Sequence, residues 1–233
     1  MPHRPHAAFG PPVDRTLAIW RYLDVSRLLH VAQNRALHFA RADTLGDPFE
    51  GSLSAATFAA TGEQSPRIAK AWRLKAAVNC WHLSEDESVA MWDQYGRSNI
   101  AVAIRSTVQR LIDALVPAPQ AVFLGAVSYI DYDRVPIAVD NALYPLLHKR
   151  RSYSHERELR AITTFPEHEG AYDLENNPLG ILVPVDLLRL VEAIYIAPLA
   201  PAWTAETIRR AVADSFGQEL PVRQSRLGEQ PRF

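Results

Sequence analysis

Five short segments of this chain set charged or hydroxyl side chains beside large aromatic rings: Trp20-Arg21-Tyr22, Gly46-Asp47-Pro48-Phe49-Glu50, Cys80-Trp81-His82-Leu83-Ser84, Met91-Trp92-Asp93-Gln94-Tyr95-Gly96 and His155-Glu156-Arg157-Glu158-Leu159-Arg160. A packed core has little reason to repeat that combination, because a buried polar group costs free energy unless it is hydrogen-bonded. A site that holds a polar ligand between rings has every reason to. The acids supply a fixed negative charge or a proton acceptor, an arginine supplies a forked donor for phosphate or carboxylate, and the rings supply a stacking face.

Each segment also has an ordinary structural explanation. Ser84-Glu85-Asp86-Glu87 is a capping box that would open a helix through Met91 and Trp92, with Gly96 ending it. Asp47-Pro48-Phe49-Glu50 has a capping acid, proline at the first helical position and glutamate at the third, again a helix start. Arg21 on a strand is ordinarily a surface or salt-bridging side chain. Glu156 and Glu158 lie two apart on an extended segment and point the same way. Like charges so placed repel unless a cation lies between them, and Arg157 and Arg160 are at hand. Met91 and Trp92 read as core filling and Cys80 as a small buried hydrophobe. The basic run His148-Lys149-Arg150-Arg151, followed by Tyr153, reads as a solvated loop or a phosphate contact.

The elements that must position these residues follow from periodicity. A β-prone run over 16–23 precedes a helix over 25–34, whose apolar face is Val25, Leu28, Leu29 and Ala32. Extended runs are expected over 37–40, 76–81, 100–104, 122–129, 159–165, 181–185 and 193–197, and helices near 67–75 and 107–115. The last helix begins at Thr204, buries Ile208, Ala211, Val212 and Phe216, and stops at Gly217. Strands and helices mix without βαβ alternation or internal repeat, which predicts an α+β fold with a mixed or split sheet flanked by helices. The expected organisation is a disordered leader over 1–15, a single domain over 16–222 and a flexible tail over 223–233.

Composition narrows the function classes. The chain has 233 residues, 48% of them hydrophobic and 22% charged, with a formal net charge of −1, so no global basic field draws it to nucleic acid or an anionic membrane. No apolar run reaches the length of a membrane span, and no secretory h-region opens the chain, so a cytoplasmic location without a membrane partner is expected. One cysteine excludes an internal disulfide and fits a reducing compartment. The histidines have no zinc spacing and there is no Gly-rich phosphate loop, which argues against a zinc enzyme, a nucleoside-triphosphate hydrolase and a dinucleotide-binding α/β enzyme.

The order and spacing of the aromatic-basic strand, Asp47-Pro48-Phe49-Glu50, the Cys-aromatic-x-Ser strand end, Met91-Trp92-Asp93-Gln94-Tyr95 and Glu156-Arg157-Glu158-Leu159-Arg160 resemble a bacterial family, domain-of-unknown-function family 2971, over residues 17 to 197. The family usually has Asn before Asp-Pro-Phe-Glu, where this chain has Gly46. That family name supplies no activity. An early-strand Arg, a middle Ser and a late Glu-x-Glu also follow the order of ADP-ribosyltransferases of the Arg-Ser-Glu type, which Arg21, Ser84 and Glu156/Glu158 match. The resemblance implies NAD as substrate and no metal. Arg21 would hold its pyrophosphate, Tyr22, Trp81 or Tyr95 would face the nicotinamide, and Asp47 would stand with these as a cofactor-binding residue. Glu158 would be the catalytic carboxylate, Glu156 would orient or deprotonate the acceptor, and Ser84 would organise the site. The acceptor would be a protein, a nucleic acid or water, and an antitoxin or chaperone partner would restrain the enzyme as a toxin or phage-defence effector.

Two rival classes remain. Asp43, Asp47, Glu50, Glu156 and Glu158 could gather around magnesium with Lys149 alongside, making a nuclease or phosphodiesterase. Alternatively the motifs only stabilise the fold of a non-catalytic interaction module.

Overall fold

The computed structural model describes residues 3–4, 13–62, 64–95, 101–165 and 178–231. The chain forms two compact units, each drawn from three separated segments: Met1–Val13, His38–Cys80 and Ala118–Val183 in the first, and Asp14–Leu37, Trp81–Pro117 and Pro184–Phe233 in the second.

The second unit is built on β1 (Ala18–Asp24) and β4 (Ala101–Thr107), which pair antiparallel in a register that sets Arg21 opposite Ile104. The final residues of β3 (Ala76–Leu83) pair on the other side of β1, with Trp20 opposite His82. β10 (Ala193–Ile196) runs antiparallel to β4, and β11 (Val222–Gln224) adds to β10 in parallel. Val222 of β11 pairs with Ile194 at the boundary between the expected domain, 16–222, and the expected tail, which satisfies backbone groups there.

Helices of this unit follow local signals closely. Asp24 caps α1 (Val25–Asn34) by accepting from the Arg27 amide, and Leu28, Val31 and Ala32 are its buried face. Thr107 caps α5 (Val108–Ala114) in the same way. α7 (Ala202–Phe216) buries Ile208, Val212 and Phe216 and ends at Gly217 in the left-handed conformation. The core gathers Trp20, Tyr22, Met91 and Trp92 over Ala101 and Ala103, with Tyr22 set edge-on to Trp92 at 4.9 Å between centroids.

α4 (Val89–Tyr95) departs from expectation, because it starts after Ser88 rather than at Ser84. The Glu85 carboxylate accepts from the Ala18 amide instead of closing a box, and the Ser88 hydroxyl accepts from Met91 at the true helix start. The expected stop at Gly96 lies outside the described residues.

In the first unit, β2 (Ala36–Arg41) pairs antiparallel with β3, Ala40 opposite Val78, and β9 (Gly180–Pro184) neighbours β2. β8 (Glu158–Thr164) lies beside β3 and pairs antiparallel with β5 (Phe123–Ala126). Two short strands, β6 (Ser128–Ile130) and β7 (His148–Arg150), form a separate parallel pair. α2 (Ala55–Thr61), α3 (Gln64–Lys75) and a core of Ala76, Val78, Leu143, Leu146, Leu147 and Ile162 complete it. Mixed pairing with helices against it is the α+β class that the sequence predicts. Among the described residues no helix is long and apolar enough to cross a membrane.

Asp47-Pro48-Phe49-Glu50 does not begin a helix. Asp47 accepts from the Phe49 amide through its side chain and from the Glu50 amide through its carbonyl, and Gly51 then takes a φ of +72°, which closes a turn. The next helix, α2, begins after the turn with Ser54 as its cap.

Candidate functional site

Lys149 is the centre of β7, so alternation along the strand sends it inward while His148 and Arg150 face the other way. Glu158 and Arg160, two apart on β8, share a buried face. Glu50 enters from the Asp47 turn and Glu156 from the 3-10 turn Arg151–Glu156. These five side chains form one buried network.

The Lys149 ammonium donates to Glu156, lies 3.3 Å from Glu50 Oε1 and is 3.6 Å from Glu158 Oε2. Arg160, with a fully buried side chain, donates through Nη2 to Glu50 and to Glu158 Oε2 at 2.7 Å, and through Nη1 to the Leu146 carbonyl at 2.7 Å. The Glu158 amide donates to the Tyr129 hydroxyl at 2.8 Å, which fixes the start of β8.

Glu156 and Glu158 converge, but not as neighbours along one strand. Arg157 between them has a φ of +41°, which places Glu156 at the end of the turn and Glu158 at the start of β8. The expected extended Glu-x-Glu segment is therefore replaced by a left-handed kink, and Lys149 is the cation that relieves the repulsion.

Burial would raise the Glu158 carboxyl, but Arg160 and Lys149 together outweigh it and hold the group below the usual carboxylate range. Glu158 is thus a poor proton acceptor and a well-fixed anion. The same attractions raise Lys149 and Arg160 despite burial. Burial and the Glu158 charge push the Cys80 thiol well above its ordinary value, so Cys80 is no ready nucleophile.

Beside this network, the wholly buried carboxylate of Asp47 accepts from Arg150 Nε at 3.1 Å and Nη2 at 2.8 Å. The Arg150 guanidinium stands 4.6 Å from the centroid of Phe49 and 5.5 Å from that of Tyr153, whose other neighbour is Lys149 Nζ at 4.7 Å. Both Asp47 oxygens are occupied, so what this motif presents outward is Arg150. Sequence reasoning set Arg150 aside within a basic run; what separates it from Lys149 is the alternation of a three-residue strand that only the structure reveals.

The other sequence-predicted residues belong to the second unit. Arg21 is half-buried, with its guanidinium 5.9 Å over the buried Trp81 ring. Tyr22 is core, its hydroxyl accepting from the Ser88 amide at 2.9 Å and raised chiefly by burial. Ser84 is half-buried; its hydroxyl accepts from the Asp86 amide and its carbonyl from the Trp20 indole. Tyr95 is exposed, its hydroxyl accepting from Gln94.

The acids proposed for magnesium are already committed to cations. Asp43 accepts two hydrogen bonds from Arg41, Asp47 two from Arg150, and the three glutamates share Lys149 and Arg160. Among the described residues no group of three or more His, Cys, Asp or Glu side chains is arranged to hold a metal ion.

No protein-family model and no curated protein matches the chain, so the resemblance to family 2971 rests on its motifs. Among the solved structures similar to it are two of one protein. Thermus sp. 2.9 DarT in complex with NAD+ aligns over 94% of this chain and 99% of its own, at 10% identity and a TM-score of 0.44. The same protein in complex with carba-NAD+ aligns over 92% and 97%, at 10% identity and a TM-score of 0.43.

Proposed function

We propose that this protein transfers ADP-ribose from NAD, with Glu158 as the catalytic carboxylate. One observation carries the reading: Glu158 is kept ionised, against its own burial, by Arg160 and Lys149. Cleavage of the nicotinamide–ribose bond leaves the electron pair on nicotinamide and positive charge on the ribose, and a fixed carboxylate lowers that barrier. A group tuned to stay charged suits this role better than proton transfer. Glu156, on the same ammonium, is the acid proposed to orient or deprotonate the acceptor hydroxyl or amine as it attacks the ribose. Arg21 on the pyrophosphate, Ser84 as organiser, Asp47 as a cofactor-binding residue and an aromatic among Tyr22, Trp81 and Tyr95 on the nicotinamide keep the roles that the motif order assigns. The acceptor is a protein, a nucleic acid or water, and the setting proposed is a bacterial toxin or phage-defence effector held in check by an antitoxin or chaperone.

The test is release of nicotinamide from labelled NAD in the presence of bacterial lysate as acceptor source, comparing wild type with Glu158→Gln and repeating both with EDTA. Release that survives EDTA and is lost in a folded Glu158→Gln protein supports the reading. A second reading, that the network only stabilises the fold, is favoured by the burial of all five of its side chains. It predicts no release by either protein and a variant altered in stability alone.

A further inference from the structure

We infer that Arg150, presented by Asp47 beside Phe49 and Tyr153, takes a phosphate of the NAD pyrophosphate; the inference rests on the NAD reading above. Three features distinguish Arg150 from an ordinary surface arginine. Its orientation is fixed by the two-point contact with a buried carboxylate, so little side-chain entropy remains to be lost on binding. It is nonetheless open to solvent, with 37% of its side chain exposed. Nη1 makes no hydrogen bond among the described residues, since Nε and Nη2 carry all the contacts to Asp47 and Tyr153.

That leaves the Nη1 hydrogens of a planar, charged donor for a phosphate oxygen. Phe49, itself partly exposed, and Tyr153 bring aromatic surface to the guanidinium, and Arg151, exposed on the next residue, adds positive charge. The position also fits the proposed chemistry. The Tyr153 ring that borders Arg150 lies on the same ammonium that holds Glu158, so two side chains, Tyr153 and Lys149, link the phosphate contact to the catalytic carboxylate. In NAD a single ribose separates the pyrophosphate from the nicotinamide bond. No bond is made or broken at Arg150, which makes it a binding residue and not a catalytic one.

The experiment is calorimetric titration of the full chain with NAD, ADP-ribose and nicotinamide riboside, which lacks phosphate. Arg150→Gln is expected to weaken NAD and ADP-ribose about tenfold, equivalent to about 1.4 kcal/mol, and to leave nicotinamide riboside unchanged. In nicotinamide release the same variant should raise KM while leaving kcat within about threefold. Arg150→Lys, which keeps the charge on Asp47 but lacks the fork, should lie between and covers the case where Gln prevents folding. Arg210→Gln, a change on the exposed face of α7, is the control expected to match wild type. Equal affinity of wild type and both Arg150 variants for ADP-ribose overturns the inference while leaving the NAD reading intact. Failure of wild type to bind either NAD or ADP-ribose overturns both. Equal weakening of all three ligands also overturns it, because a general distortion of the site would not respect the phosphate.

Discussion

Replacing Lys149 by methionine should be among the most destabilising single changes available in this chain. The ammonium lies 3.3 Å from Glu50 and 3.6 Å from Glu158 and donates to Glu156. At an effective dielectric of 20, each of the first two attractions amounts to about 5 kcal/mol before desolvation is subtracted. Methionine fills the volume but leaves Arg160 as the network's only cation facing those carboxylates. Breaking a buried ion pair from one side costs about 3–5 kcal/mol, a large part of the roughly 5–15 kcal/mol that holds an ordinary domain together. Urea denaturation at pH 7.5 should therefore show the midpoint falling by about 2 M for an m-value near 2 kcal/mol/M. The pH dependence supplies a second check. Glu158 has a folded value below that of the free side chain, so its contribution is present above about pH 4.3 and is lost as pH falls through the folded value. Lys149 has a folded value above the free one, so its contribution is present below about pH 10.4 and is lost as pH rises through the folded value. The gap between wild type and Lys149→Met should thus be widest between those limits and narrow as pH falls below about 4.3 and through the folded Glu158 value, where the protonated Glu158 carboxyl no longer needs the ammonium. A loss below about 1 kcal/mol at pH 7.5, or a gap that stays constant as pH is taken from about 4.3 down through the acid transition, would refute the electrostatic account.

Three further outcomes are expected. Gly51→Ala should cost about 1–3 kcal/mol in a thermal or urea melt, because φ there is +72° and the new Cβ would meet Arg73 Cγ at 2.7 Å and Leu146 Cδ2 at 2.9 Å. Thr57→Val keeps the shape but leaves the amide and carbonyl of Ile137 without the hydroxyl that now serves both, a loss of about 1–3 kcal/mol readable in the same melts. In the native protein at pH 8, Cys80 should react with a thiol reagent at least about tenfold more slowly than in urea, since burial and Glu158 disfavour its thiolate; Glu158→Gln should speed the native reaction.

Where one residue's chemistry determines local geometry, the sequence was readable. The helices over Val25–Asn34 and Val108–Ala114 and the Gly217 stop stand where periodicity and the glycine put them. Reading failed where distant partners compete for the same groups. Asp47 and Glu50 look like a helix start, but Arg150 and Arg160, more than a hundred residues away, claim both carboxylates. Ser84 to Glu87 look like a capping box, but Glu85 is drawn to the Ala18 amide across the sheet. Glu156 and Glu158 were legible as a converging acid pair, whereas the left-handed Arg157 between them was not, since nothing local announces a positive φ at arginine. Lys149 and Arg150 divide into a buried hub and an exposed fork only once a three-residue strand is known, and that is too short for any period to reveal.

The interleaving of the two units bears on how the protein is made. Strand β1 belongs to a unit whose strands β10 and β11 are synthesised long after it, and the Glu50 turn waits for Lys149 and Arg160 before its charge is neutralised. The first unit needs the segment that ends at Val183 and the second the segment that follows it, so the nascent chain carries open strand edges and uncompensated acids until those segments emerge. A shortened chain lacking the segment from Pro184 onward would hold every segment of the first unit and only part of the second, so the strand edges that β10 would cover stay open in an otherwise half-complete protein.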